Sequence, residues 1–336
     1  MWFFYNINFQ NEHLDFFIDK IKSFFTKTFN EESYDETINS NFFIQLKKTN
    51  LVKYYLKDFY NNYTLLNEQQ KSIIKKAFEI NTDIEIICYS QLKPIKYSEV
   101  HESVRGDLKN IFNYLYKDLP KVKYFKETLG SFKNYYNQFY EHNFSNYTQC
   151  PFCGLKQMKT PTETRREPFD HYLLQSNYPF VSLIRNNLVP MCHDCNEDYK
   201  RNKDISLSKV FYPFTEEVSD VELEIRGGEV KLNSSKFPEE VESWDNIFEI
   251  KKRLSGHIER NKEGILANFT ELELFGDEKL EEHVTCKINF LNKQLYFSNN
   301  FIEKAILLDE YDYVFKKIDS SAYPKETRKV DLINIK

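Results

Sequence analysis

Residues 169–196 read FDHYLLQSNYPFVSLIRNNLVPMCHDCN: an acid and an imidazole side by side at Asp170 and His171, then Cys192-His-Asp-Cys195 followed at once by Asn196. A second pair, Cys150-Pro-Phe-Cys153, lies upstream, with 38 residues between the two pairs. Each two-residue spacing lets both thiolates reach one ion, and two pairs make a closed tetrahedral four-sulfur site with no open position. The sequence therefore predicts structural Zn²⁺ on Cys150, Cys153, Cys192 and Cys195, a set that is complete without His193. A redox reading of the pairs lacks the βαβ surroundings of a thioredoxin-like domain.

The excursion between the pairs carries the chemistry. Residues 169–174 read as a strand, on which neighbours point to opposite faces, so Asp170 and His171 address different partners. Residues 181–184 are expected to return as a second strand, and 195–203 to form a helix. A ββα unit pinned by one zinc brings Asp170 near Asn196. A hard cation such as Mg²⁺ or Mn²⁺ needs only one or two protein oxygens, and the Asp170 carboxylate and Asn196 amide meet that need. His171, with an ordinary pKa of about 6.5, is placed to take a proton from an attacking water. Lys200, Arg201 and Lys203 are candidates for phosphate contacts. Taken singly, Asp170 and Asn196 read equally well as turn caps, and a lone histidine as a bystander. Their order between zinc pairs favours an active site.

The run CPFCG, then FDHYLLQSNYPFVSLIRNNLVPMCHDCNEDYKRNK, resembles the HNH endonucleases of the His-Me finger (ββα-metal) class, over about residues 150–204 of the 336. The resemblance implies His171 as general base and Asp170 and Asn196 as ligands of the catalytic metal. It also implies that Asn187 fixes the His171 ring by a hydrogen bond. Two departures stand out: Asn196 occupies a position that is His in many relatives, and Lys200 follows it by four residues where close relatives have three. The wording with its helical flanks is similar to HNH subunits of bacterial anti-phage systems such as Septu, which implies a DNA substrate and a partner ATPase. RNA is the alternative substrate, and a non-catalytic zinc-stabilised scaffold the alternative function.

Around this module, 30 Phe and 23 Tyr against 8 Gly and 10 Pro describe a folded chain. Leu14, Phe17, Ile18, Ile21, Phe24, Phe25 and Phe29 repeat at helical spacing, and residues 50–80 and 104–145 continue the pattern. The aromatic stripes of the latter are expected to be core packing, in preference to base stacking. Residues 221–232 alternate around Arg226-Gly227-Gly228 as a β-hairpin, and helices resume over 243–263 and 301–318. The expected fold is thus α+β: a mainly helical chain carrying a zinc-stabilised ββα-metal module, with a helical segment 1–147, the module at 148–210 and an α+β segment 211–336.

The net charge of −5 is unevenly spread: +1 over 1–149, +2 over 150–210 and −8 over 211–336. A generic nucleic-acid binder is disfavoured, a local central surface is not, and the acidic segment suits either a basic partner or a cover over the cleft. No apolar run reaches the length of a membrane span and no secretory leader is legible, so a cytoplasmic, membrane-free protein is expected. Six cysteines are too few for a disulfide scaffold; Cys88 and Cys286 sit in strand-like apolar runs and read as buried core thiols. A Gly-rich phosphate loop is missing, which argues against ATPase activity on this chain.

Overall fold

The computed structural model describes residues 1–129, 131–144, 148–226, 229–267, 277–294 and 301–319. It is mainly helical with two small sheets. Helix α1 (Glu12–Phe29) starts where the Asn11 side chain accepts from Leu14 N at 2.8 Å, with Glu12 and Asp15 in the first turn and Lys27 in the last. Cap and charges both suit the helix dipole. Its buried face is Leu14, Phe17, Ile21, Phe24, Phe25 and Phe29, close to the spacing read from the sequence.

Short helices α2 (Tyr34–Thr37) and α3 (Asn41–Leu46) lead to a π-wound turn at Leu51–Tyr55 that runs into α4 (Leu56–Thr64). A reciprocal cap between Asn67 and Gln70 restarts the chain as α5 (Glu68–Asn81). Helix α6 (Ile84–Cys88) replaces the strand expected around Cys88: Asp83 caps it by accepting from Ile86 N. The span 104–145 is three helices, α7 (Glu102–Lys117), α8 (Lys123–Leu129) and α9 (Phe132–Asn143), broken where Pro120 follows Leu119. Their aromatic stripes are core: Phe112, Tyr135, Tyr136 and Phe139 are all buried.

The centre holds β1 (Phe169–His171) antiparallel to β2 (Leu188–Pro190), with Phe169 opposite Pro190, Asp170 opposite Val189 and His171 opposite Leu188. Residues 181–184 do not form the expected second strand; Val181–Leu183 is a 3₁₀ turn. Phe180 before it sits at φ 70°, a conformation that non-glycine residues rarely adopt and that ends extended backbone. That conformation goes with full burial of the Phe180 ring among Phe25, Phe78 and Phe112, at centroid distances of 5.1, 5.3 and 5.6 Å. Asn81 Nδ2 donates to Pro179 O at 3.0 Å, Tyr97 N to Asn177 O at 2.9 Å, and Arg185 pairs with Asp15 at 2.5 Å. The excursion between the cysteine pairs is therefore docked onto the N-terminal helices.

Beyond it, β3 (Glu222–Arg226) and β4 (Glu229–Asn233) form the expected hairpin, with Leu223, Ile225, Val230 and Leu232 facing inward; its tip, residues 227–228, lies outside the described residues. Residues 243–263 are two helices, α10 (Pro238–Phe248) and α11 (Ile250–Ala267), divided at Glu249, which takes a left-handed conformation. Helices α12 (Asp277–Gln294) and α13 (Phe301–Asp319) follow. Cys286 is exposed on α12 rather than buried in a strand, because Leu280, Val284 and Leu291 define the inward face and Cys286 falls off it.

The buried cluster is continuous from Met1 to Tyr311. The first residues stitch it together: Trp2 N donates to Pro151 O at 2.9 Å, Tyr5 N to Pro213 O at 2.8 Å, and the Tyr5 hydroxyl to Pro190 O. No helix among the described residues is long and apolar enough to cross a membrane.

Candidate functional site

The four cysteines converge. All four sulfurs lie within 4.8 Å of one another and all are buried; Cys150 and Cys195 are 3.9 Å apart, Cys153 and Cys192 3.8 Å. A tetrahedron with metal–sulfur bonds of about 2.3 Å has edges of roughly 3.8 Å, so this cluster can hold a metal ion such as zinc without rearrangement. The first knuckle is built by Gly154, whose φ of 68° lets its N–H reach Cys150 O at 2.8 Å. A Cβ there would meet the Ile302 side chain at 2.8 Å and Trp2 at 3.0 Å, so the knuckle and α13 approach because the residue is glycine. His193 is exposed and outside the four, grouped with Asp194 and Asp198 at the surface.

Two further contacts on the cluster come from the C-terminal segment. Trp244 Nε1 donates to Phe152 O at 2.9 Å, and Arg253 Nη1 to Cys195 Sγ at 3.3 Å, its guanidinium 4.1 Å over the Tyr199 ring. Burial opposes the Arg253 charge, yet Cys195 and Cys153 raise its pKa above the ordinary arginine value. A buried cation beside four thiolates offsets the negative charge they would carry around a divalent ion. Arg253 was missed in the sequence because nothing local marks it; it stands 58 residues after Cys195 on an otherwise ordinary amphipathic helix.

Asp170 and His171 emerge from β1 next to the turn that follows Cys195. This turn, Asp194–Lys200, is wound as a π-helix, with Arg201 N donating five residues back to Asn196 O at 2.9 Å, and it ends three residues short of the helix expected over 195–203. The wider winding accommodates the extra residue between Asn196 and its downstream lysine. Lys200 is thus carried to Asp170, Nζ to Oδ2 2.6 Å, and also donates to His171 O at 3.3 Å. Burial raises the Asp170 carboxyl above its ordinary range, an effect that the Lys200 charge and hydrogen bond only partly offset. His171 is pushed the other way, down to about 4, by burial and then by Lys200, so its imidazole is neutral at pH 7.

The His171 ring packs edge-on against Tyr116, centroids 4.9 Å apart, and adjoins an apolar cavity of about 60 Å³ lined by Leu14, Phe17, Phe125, Phe132 and Leu183. One candidate role needs correction. Asn187 does not hold the His171 ring: its fully buried amide accepts from Leu173 N at 2.7 Å and donates to Leu173 O and Val181 O at 3.0 and 3.1 Å. It closes the loop that Phe180 begins. Asn196 is half-buried near the same wall, its amide donating to Glu197 Oε1 at 3.4 Å, and no direct bond joins it to Asp170. Glu197 beside it does lie within electrostatic reach of Asp170, so this turn faces β1.

The basic run is mostly occupied elsewhere. Lys200 is fully buried in its pair with Asp170, so it cannot also face a substrate phosphate. Lys203 donates to Asn246 O and Ile247 O, satisfying carbonyls at the end of α10. Arg201 is exposed but folds back to Glu197 O at 2.9 Å. Compared with known protein families, curated proteins and solved structures, the chain matches none.

Proposed function

We propose that this protein is a metal-dependent HNH-type endonuclease that hydrolyses phosphodiester bonds in DNA, acting as an anti-phage effector with a partner ATPase. The observation that carries the reading is the adjacency of Asp170 and His171 on β1, which the Asp170–Lys200 pair ties to the turn that follows the buried four-cysteine cluster. In this reading zinc holds the cluster. Asp170 and Asn196 would hold Mg²⁺ or Mn²⁺, and the fit rests on charge: the buried Asp170 carboxylate already faces a cation, the Lys200 ammonium at 2.6 Å. When bound, the divalent ion neutralises charge on the scissile phosphate and on the departing oxygen.

The chain's own residues do the rest. His171, uncharged and flanked by apolar walls, accepts the proton of the attacking water; its ring nitrogens have no hydrogen-bond partner among the described residues that would compete. Asn187 keeps the loop behind it closed, and Lys200 holds Asp170 and the His171 backbone in place.

Plasmid cleavage with Mg²⁺ or Mn²⁺ tests the reading. Wild type is expected to nick or linearise DNA, and His171→Ala to lose about 10²–10⁴-fold in rate; equal cutting by both proteins would sink the assignment. The same pair assayed on structured RNA separates the two substrates. A second reading, a non-catalytic zinc-stabilised scaffold, draws on the Asp170–Lys200 ion pair, which treats Asp170 as structure. It expects His171→Ala to leave function in cells unchanged, while Cys150→Ser unfolds the centre.

A further inference from the structure

With Lys200 and Lys203 committed to structural contacts, the candidate site needs its anion-binding group from elsewhere. We propose that Arg166 grips the phosphodiester backbone of the substrate beside His171, an inference that rests on the nuclease reading above.

Arg166 lies four residues before Asp170 on the segment entering β1. Its guanidinium carbon lies 4.9 Å from the centroid of the Phe169 ring and 6.0 Å from that of Phe132, and Nη1 donates to Glu167 O at 2.7 Å. No carboxylate pairs with it among the described residues, in contrast to Arg185, which has Asp15. One hydrogen bond leaves most of its five N–H donors without a protein partner among the described residues. Half-burial without an acid costs solvation of the charge, and an anionic ligand restores what is lost.

Tyr116 ties this cation to the site. Its ring meets His171, and its hydroxyl is within electrostatic reach of both Arg166 and Asp170. A planar fork held between two aromatic rings can present parallel donors to the two non-bridging oxygens of a phosphodiester, the recognition for which arginine is suited and lysine is not.

The test uses full-length protein carrying His171→Ala, so that bound DNA stays intact, and a labelled duplex of about 20 base pairs, long enough to cover such a footprint. Fluorescence anisotropy is followed over stepped KCl without added divalent cation. Arg166→Met on this background is expected to weaken binding about tenfold and to reduce the slope of log affinity against log salt by about 1. Arg166→Lys is expected to recover the slope but only part of the affinity. Unchanged affinity and slope in Arg166→Met overturn the Arg166 assignment and leave the nuclease reading to the plasmid assay. If the methionine variant melts early, unchanged affinity in Arg166→Lys overturns it instead. A parent that does not bind duplex at all overturns both assignments together.

Discussion

Asn187 shows how much one buried side chain can organise. Three hydrogen bonds to Leu173 and Val181 close a loop whose backbone has no ladder partner there, so removing the amide leaves buried N–H and C=O groups unpaired. Asn187→Ala is expected to destabilise the fold by about 3 kcal/mol, since each orphaned buried group costs roughly 1–3 kcal/mol; a urea denaturation midpoint equal to wild type would contradict this. The sequence marked Asn187 as a site residue because of its place in the motif. Its partner could not be read there, because the loop's return depends on Phe180 entering the N-terminal core, where its ring neighbours Phe25, Phe78 and Phe112 lie 155, 102 and 68 residues away in sequence.

At the scale of elements, the excursion between the cysteine pairs is held from both sides. The cluster pins its ends, and Phe180 inserts into an aromatic nest made by α1, α5 and α7. Phe180→Ala leaves a cavity in that nest and is expected to cost about 3–5 kcal/mol. Thermal denaturation measures the loss, and the melting temperature is expected to fall by several degrees; no shift would mean that the loop is not anchored there. Helix periodicity was legible over α1 because its apolar face meets the core throughout. The second strand was misplaced because alternation in residues 181–184 carries no information on the positive φ at Phe180 that turns the chain away. Similarly, the helix after Cys195 was expected, but its π winding is set by where Lys200 must go to meet Asp170, a long-range constraint.

Across the whole molecule, the cysteine cluster is a junction of three segments: the knuckles themselves, the first residues through Trp2, and the C-terminal segment through Trp244 and Arg253. The chain has two tryptophans, and both stand at this junction, edge to face at 5.4 Å and buried. Stripping metal from the purified protein with a chelator and a thiol-reactive mercurial is expected to shift intrinsic tryptophan emission to the red, as four repelling thiolates open the contact. Zinc added back after thiol reduction is expected to reverse it; emission indifferent to both treatments would remove the cluster from its structural role.

Residue chemistry and spacing were sufficient to identify the four cysteines that converge and a mainly helical chain, because thiolate pairs and apolar periodicity are local properties. Tertiary structure alone decided which groups remain free to act. Lys200 and Lys203 are equally basic in sequence, yet burial against Asp170 removes one and the carbonyls closing α10 take the other, while Arg166, next to Phe169 of β1, has no acidic partner among the described residues. A charge's availability depends on what it is folded against, and for these cations those partners come from β1 and α10, elements that the basic run itself does not specify.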